Sequence, residues 1–327
     1  MKKFRLITGL LIMTLTAAAC GTDGGGEEAS GQASGSTDGN KEKEEVQAEE
    51  LTIEHDLGET TVEKNPEEVV VFDFGSLDTL DTLGVDVTGV PQANIPTYLE
   101  KYESADYENV GGLKEPDFEK IAEIDPELII ISGRQSDAYD EFSKIAPTIF
   151  LQVDTKDYMN SFEENVMTLA EIFEKEDEAD EKLTEVKEKV AALQEKTSDM
   201  EEEALIILAS DGKVSAYGSE SRFGLIHDEF GFPESDENIE ASIHGQSVSF
   251  EYIAEQNPDY LFIVDRGAVV GDGGSSAKEV VENDLTKNTE AYKNDNFIYL
   301  DPNYWYLSGG GLLSVSEMVE EVEGALE

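Results

Sequence analysis

The sequence has few basic residues and a single cysteine. Its 327 residues include 23 Lys and Arg against 74 Asp and Glu, a formal net charge of −51 at pH 7. A basic face is needed to bind phosphate backbones, so this imbalance excludes a sequence-independent nucleic-acid binder. With Cys20 alone, the chain can form neither a disulfide framework nor a cysteine-rich zinc or iron–sulfur site. A hydrophobic content of 39%, with 14 Phe and 12 Tyr, still predicts a folded body.

Motifs of nucleotide binding and of serine hydrolases are incomplete. Ser308–Gly311 lacks the Lys-Ser/Thr pair of a P-loop and predicts a turn from a strand into a C-terminal helix. The segment Gly245–Ser249 (GQSVS) is near a nucleophile elbow but lacks its final glycine. We therefore expect a protein that is not an enzyme, and a surface hydrolase stays open as an alternative.

The N-terminus predicts export and a lipid anchor. Three basic residues precede a mostly apolar stretch over residues 6–19, which is too short to span a bilayer. Cys20 follows three alanines, which resembles a bacterial lipobox although Ala17 stands where Leu is usual; an ordinary signal peptide is the alternative. We expect a signal peptide over residues 1–19, and a lipidated Cys20 with a flexible acidic tether over residues 20–50. The folded body would then lie at the extracellular face of a Gram-positive-like cell membrane.

Short apolar runs alternate with helical patterns in the folded part. Val69–Phe72 and Leu128–Ile131 are candidates for buried strands, and Asp117–Ile124 has the spacing of a helix. This alternation favours an α/β fold with mainly parallel sheets.

The middle of the chain predicts helix. Residues 134–211 contain no glycine, and a capping box starting at Asn160 opens a series of apolar residues at helical spacing. We expect two lobes, residues 51–159 and 198–327, joined by a single long helix within residues 160–197. A helix pair or a coiled-coil segment is the alternative for that region.

An internal repeat relates the two halves. Phe118–Pro126 (FEKIAEIDP) recurs 132 residues later as Phe250–Pro258 (FEYIAEQNP). Each copy continues through an apolar strand to an arginine, Arg134 in the first copy and Arg266 in the second. Ligands of open α/β sheets bind beyond the carboxyl ends of the strands, so two facing lobes would direct both arginines into one cleft.

Arginine is scarce in this sequence, so each arginine is a candidate for a specific role. The chain has four: Arg5 in the signal peptide, and Arg134, Arg222 and Arg266 in the folded body. A guanidinium group is a planar, always-charged donor that suits anion recognition. The three predict a cationic triad for an anionic ligand, and three structural salt bridges are the alternative.

Several segments resemble the ferric-siderophore-binding lipoproteins of bacterial ABC importers, in particular the catecholate, petrobactin type of the class III periplasmic-binding-protein family. The resemblance covers the chain from about Leu51 to its end, with motif order and spacing kept. It implies two Rossmann-like lobes that close little about the connecting helix. The segments are VFDFGSLDTLDTLG at 71–84, KEPDFEKIAEIDPELIII at 114–131, SRFGLIH at 221–227, HGQSVSF at 244–250, NPDYLFIVDRG at 257–267 and WYLSGGG at 305–311.

The resemblance also implies the ligand and the residues that hold it. Arg134, Arg222 and Arg266 match three arginines that bind a ferric catecholate complex, and Trp305 adjoins them. The ligand is an Fe(III)–siderophore complex, and no permanent cofactor is expected. Haem, cobalamin and hydroxamate complexes stay as alternatives, although a neutral hydroxamate complex would not need three arginines.

Four further residues take roles from the resemblance. His244 and Tyr306 match a His/Tyr pair that completes iron coordination when the siderophore supplies too few donors. Hydrogen bonding in a polar loop is the alternative for His244. Glu119 and Glu251, related by the repeat, match the acidic residues with which each lobe docks onto the ABC permease. The protein is expected to act as a monomer.

Overall fold

The computed structural model describes residues 49–270 and 275–326. The predicted signal peptide, Cys20 and nearly all of the tether lie outside the described residues. Within the described ranges, no helix is both long and apolar enough to cross a membrane.

The N-terminal part is built on a five-stranded parallel sheet in the order β5-β4-β3-β8-β9. A β1–β2 hairpin packs beside β9. The elements are β1 (Glu50–His55), β2 (Gly58–Glu63), β3 (Val69–Val71), α1 (Phe74–Thr82), β4 (Gly89–Val90), β5 (Glu108–Asn109), β6 (Gly111–Gly112), β7 (Glu115–Pro116), α2 (Phe118–Ile124), β8 (Leu128–Ile131), α3 (Tyr139–Phe142) and β9 (Thr148–Phe150).

Every residue of β3 and β8 is buried, because helices cover both faces of this sheet. Val69 and Val71 join a cluster with Leu77 of α1, whereas Val70 faces the opposite layer with Ile121 of α2. The continuous apolar runs of the sequence thus correspond to central parallel strands. The predicted α/β fold is confirmed.

The connection between the two sheets is a pair of helices, α4 (Tyr158–Ile172) and α5 (Glu176–Thr197), and not one helix. The chain turns between them at Glu174, whose φ of 52° lies in the left-handed region. The predicted capping box is also wrong: α4 begins before Asn160, whose side-chain amide donates to Asp157 at 2.6 Å. Of the two, α4 supplies residues to both lobe cores, whereas the apolar face of α5 packs only against the C-terminal one.

The C-terminal part has a mixed five-stranded sheet in the order β12-β11-β10-β13-β14. The strands β10, β13 and β14 are parallel, and β11 and β12 are antiparallel to their neighbours. The elements are β10 (Ala204–Ser210), β11 (Lys213–Tyr217), α6 (Leu225–Asp228), β12 (Gln246–Val248), α7 (Phe250–Gln256), β13 (Tyr260–Asp265), α8 (Arg266–Val270), α9 (Ala277–Val281), α10 (Glu290–Lys293), β14 (Phe297–Leu300) and α11 (Leu312–Gly324).

The sequence repeat is also a structural repeat. The helices α2 and α7 each have seven residues, and a side chain, Asp117 or Ser249, caps each N-terminus. Each helix ends on a left-handed residue before a proline, Asp125 with φ 55° or Asn257 with φ 48°. A central parallel strand follows in both copies, so the two arginines after these strands occupy equivalent places.

The N-terminus of α11 is capped by a side chain from the other half of the chain. The buried carboxylate of Asp78, on α1, accepts the backbone N–H groups of Leu313 at 2.9 Å and Ser314 at 2.7 Å. A Cβ atom on Gly311 would overlap this carboxylate, which explains the glycine at the start of the helix. The two halves are therefore joined by a buried, charge-assisted contact.

Candidate ligand-binding site

Three arginines are brought together from three separate segments. Arg134 lies in a 3₁₀ helix directly after β8, and Arg266 opens α8 directly after β13. Arg222 lies in the loop between β11 and α6. The sequence prediction that both repeat-related arginines follow a strand end is confirmed by these positions.

Tyr306 is the residue on which the three guanidinium groups converge. It lies in one turn of π-helix, Asn303–Leu307, between β14 and α11; we name it the Tyr306 turn. The Tyr306 carbonyl accepts hydrogen bonds from Nη2 of Arg134 at 2.7 Å and from Nη2 of Arg222 at 2.6 Å. The Tyr306 hydroxyl accepts one from Nε of Arg266 at 2.9 Å. All three guanidinium carbons lie 4.2–5.9 Å from the centroid of the Tyr306 ring.

The remaining anchors of these arginines are neutral oxygen atoms. Nη1 of Arg134 donates to the Leu307 carbonyl at 3.3 Å, and Nη1 of Arg266 donates to Oγ of Ser210 at 2.7 Å. Thirteen lysine–carboxylate pairs within 4.0 Å occur in residues 49–270 and 275–326, and none of the ion pairs in these ranges involves an arginine. No arginine of the described chain therefore forms a salt bridge within 4.0 Å, contrary to the salt-bridge alternative. One electrostatic partner is the carboxyl of Asp73, whose pKa is raised by burial and lowered by the charge of Arg134.

The electrostatics of the site reflect the closeness of three positive charges. Burial lowers the pKa of Arg222, and the neighbouring charge of Arg134 lowers it further. Burial alone would raise the pKa of the Tyr306 phenol, but the hydrogen bond from Arg266 and the charges of all three arginines outweigh it and lower that pKa. A concentrated positive site in so acidic a protein can attract and orient an anion.

Trp305 is buried behind the site, whereas the sequence prediction has it contacting the ligand. Its side chain is only 2% exposed, lies in the core of the C-terminal part and donates its indole N–H to Glu321 at 2.7 Å. The structure shows almost no exposed indole surface for a ligand contact, so the assignment of Trp305 as a ligand-binding residue stays a prediction. The indole adjoins the site from behind, because its ring packs edge-on against Phe223, next to Arg222.

His244 is exposed, and its side chain makes no hydrogen bond to Tyr306 in the described structure. Its backbone N–H donates to Oγ of Ser242 at 3.1 Å, and the imidazole makes no hydrogen bond within the described part of the chain. The loop is nevertheless joined to the site, since the Arg222 backbone N–H donates to the Ser242 carbonyl at 3.5 Å. No group of three or more His, Cys, Asp or Glu placed to hold a metal ion occurs in residues 49–270 or 275–326.

The predicted docking residues occupy equivalent exposed places. Glu119 lies in the first turn of α2 and Glu251 in the first turn of α7. Exposure at repeat-related positions is compatible with a contact to a partner that spans both halves of the chain.

Sequence reasoning missed two residues that support the site. Ser210 ends β10 and anchors Arg266, and the rule that site residues follow strand ends would have found it. Glu321 lies within an acidic, apolar helix pattern that gives no signal of its contact with Trp305. The Tyr306 carbonyl, a main-chain acceptor, is equally invisible in the sequence.

Comparison with known proteins places this architecture in a family. Residues 69–304 match the family described as periplasmic binding protein. The chain belongs to this family. The family consists of substrate-binding proteins and not of enzymes. This chain is therefore a binding protein, as predicted.

Relatives of this periplasmic binding protein bind iron complexes. The petrobactin-binding protein YclQ of Bacillus subtilis is 50% identical over 331 positions covering all of both chains; its crystal structure has a TM-score of 0.83, covering 85% of this chain and 99% of that one. The catecholate-siderophore-binding protein VctP of Vibrio cholerae is 38% identical, with a TM-score of 0.81, over 84% of this chain and 100% of its own. The siderophore-binding protein BauB, solved with ferric iron and two acinetobactin molecules, is 34% identical, with a TM-score of 0.78, over 85% and 99%.

Proposed function

We propose that this protein captures an anionic ferric catecholate siderophore, of the petrobactin type, and delivers it to the permease of an ABC importer. The observation that supports this proposal most is the convergence of Arg134, Arg222 and Arg266 on Tyr306 without a salt bridge within 4.0 Å among the described residues. The names of the relatives, YclQ and VctP above all, support the same ligand class.

The chemistry of the site fits such a ligand. A ferric catecholate complex carries negative charge on its oxygen atoms, and each guanidinium can give them charge-assisted hydrogen bonds. Tyr306, whose phenol has a lowered pKa, and His244 on its exposed loop would supply oxygen and nitrogen ligands to iron where the siderophore leaves coordination positions open. The iron is cargo here, held mainly by the siderophore.

The remaining parts of the proposal concern location and partners. We place the protein at the extracellular face of the cell membrane, anchored through a lipid on Cys20 and acting as a monomer. Glu119 and Glu251 would dock onto the permease, one from each half of the chain. Haem and neutral hydroxamate complexes are weaker candidates, because neither needs three unpaired guanidinium groups.

A titration of the purified full-length protein in detergent tests the ligand class. Trp305 is the single tryptophan, and it is linked to Arg222 through Phe223, so bound ligand should quench its fluorescence. We expect saturable quenching by ferric petrobactin and other ferric catecholates, and none by a neutral ferric hydroxamate. The gallium(III) complexes serve as controls for quenching by iron itself. Quenching by haem or hydroxamates, without any by catecholates, would overturn the proposal.

A further inference from the structure

The Tyr306 turn is an unusual backbone feature at the centre of the site. A single π-helical turn is rare in proteins and is found mostly at functional positions. This turn must present the carbonyl of Tyr306 to two arginines and its hydroxyl to a third. A backbone of this kind needs support from outside, because its own hydrogen bonding does not extend into a regular helix.

One carboxylate meets the turn at two points. Oε2 of Glu321, on α11, accepts the indole N–H of Trp305 at 2.7 Å, and both carboxylate oxygens accept the backbone N–H of Asp301 at 3.2 and 3.3 Å. Trp305 directly precedes Tyr306, and Asp301 ends the approach to the turn from β14. The contacts thus hold the turn at its entry and beside its central residue.

The carboxylate of Glu321 has an electrostatic cost at this place. Glu321 is half-buried and has no lysine or arginine partner within 4.0 Å among the residues that the structure describes. The charged groups that face it, Asp301 and Glu317, are of like sign. A half-buried carboxylate without a cation is costly, and the hydrogen bonds that it accepts from Trp305 and Asp301 offset this cost.

We infer that Glu321 is a positioning residue of the ligand site, which fixes the Tyr306 turn through Trp305 and Asp301 so that Tyr306 meets the three arginines. The role in ligand affinity rests on the proposed function. The role in site geometry concerns the protein without ligand and can be tested separately.

Magnetic resonance of the ligand-free, full-length protein in detergent tests the geometry. Four arginines and one tryptophan give few Nε–H signals, and Arg→Gln variants assign the arginine ones. In Glu321→Ala we expect shifts of the Trp305 indole signal and of the Arg266 Nε–H signal, which reports the hydrogen bond to the Tyr306 hydroxyl. Glu321→Gln keeps one acceptor oxygen and should restore the Arg266 signal. Glu320→Gln, which removes the adjacent exposed charge on α11, is the matched control and should leave both signals in place.

Affinity for the gallium(III) complex of a catecholate siderophore, measured well below the melting temperature, tests the consequence. We expect Glu321→Ala to weaken binding by about three- to tenfold, and Glu321→Gln to stay within about twofold of the parent. Trp305→Phe, which removes the N–H donor together with part of the buried ring, should shift the Arg266 signal in the same direction and gives a second test if Glu321→Ala fails to fold.

Two results separate this inference from the proposed function. A lower melting temperature in Glu321→Ala and Trp305→Phe, with an unmoved Arg266 signal and unchanged affinity, would reduce Glu321 to a structural residue and overturn the inference. Absence of catecholate binding in the parent, together with a shifted Arg266 signal in the variants, would overturn the proposed function and leave the positioning role in place.

Discussion

The carboxylate of Asp78 accepts the backbone N–H of Ser314 at 2.7 Å, and this bond joins the first helix of the N-terminal half to the last helix of the chain. Tyr98 adds to the contact, since its hydroxyl oxygen lies within hydrogen-bond distance of both Asp78, at 3.1 Å, and Oγ of Ser308, at 2.6 Å. Ser308 directly follows the Tyr306 turn. The contact therefore couples the packing of the two halves to the segment that carries Tyr306.

The first prediction concerns this contact. Asp78→Ala should lower the free energy of unfolding by about 2–4 kcal/mol, because it leaves two backbone N–H donors at the N-terminus of α11, one of them buried, without an acceptor. Chemical denaturation followed by circular dichroism measures the loss. Asp86→Ala removes an exposed acid of the same half and should change the value by less than about 0.5 kcal/mol. Equal effects of the two substitutions would contradict the capping role.

The second prediction concerns pH and Glu321. Burial, helped by the charges of Asp301 and Glu317, raises the pKa of Glu321 from 4.5 to about 7. Between these values the native state holds a proton that the unfolded chain has released. The stability that this carboxyl contributes is therefore full below pH 4.5 and is lost as the pH rises through 7.

In Glu321→Gln this loss should vanish, so the melting temperature should fall less between pH 5 and pH 8 than it does in the parent. Thermal unfolding at constant ionic strength checks it. Glu320→Gln should keep the slope of the parent, because Glu320 is exposed. If the slopes of the parent and Glu321→Gln coincide, the raised pKa is wrong.

The repeat and its strands were predictable because their signals are local. A helix, a proline and a run of β-branched residues recur at a fixed offset, and the rule for parallel sheets then places Arg134 and Arg266 at equivalent strand ends. The break between α4 and α5 was not predictable, since Glu174 adopts a left-handed conformation with no glycine to indicate it.

The details of the site depend on contacts that no local pattern encodes. The burial of Trp305 follows from its packing against α11, which follows closely in the chain, and against Phe223, which is distant in sequence. The hydrogen bonds of Arg134 and Arg222 end on the main-chain carbonyl of Tyr306, and every residue has such a group. The sequence therefore singled out the three arginines and Tyr306, but not the contacts that hold them together.

The third prediction concerns the anchor. Cys20→Ser removes the thiol to which a diacylglycerol would be attached, so the protein should be released into the medium or stay unprocessed. Fractionation of cells followed by immunoblotting checks it. Ser30→Ala, within the predicted tether, is the control and should stay with the membrane. Membrane association of Cys20→Ser equal to that of the parent would contradict the lipid anchor.

The fourth prediction concerns docking. Glu119→Ala combined with Glu251→Ala should abolish iron uptake from the siderophore, since each half would lose its contact with the permease. Ligand affinity of the purified double variant should stay near the parent value, because both side chains are exposed and neither contacts the three arginines in the described structure.

Glu123→Ala with Glu255→Ala makes a matched control for docking. These acids lie on the same two helices, are exposed and are related by the same offset. Uptake should persist in this control. Loss of ligand binding in the Glu119/Glu251 variant would show that these acids serve the ligand and not the permease.

The last prediction concerns the arginines. Each charge-assisted hydrogen bond to a catecholate oxygen contributes about 1.5–3 kcal/mol, so replacing Arg134, Arg222 or Arg266 singly by Gln should weaken binding by about ten- to a hundredfold. Lys should recover only part of this, because it keeps the charge and loses the planar fork. The loss should fall on anionic complexes and spare neutral ones.

Stability of the ligand-free variants decides whether the arginines serve the ligand or the fold. Three like charges around one tyrosine repel one another, and the charge of Arg134 already lowers the pKa of Arg222. The melting temperature should therefore hold or rise in the Gln variants while affinity falls. Lys156→Gln, which removes a nearby exposed charge paired with Glu220, should change neither quantity by much. A lower melting temperature with unchanged affinity would make the three arginines structural residues. Replacing a residue that only binds the ligand lowers the affinity and leaves the stability of the ligand-free protein unharmed.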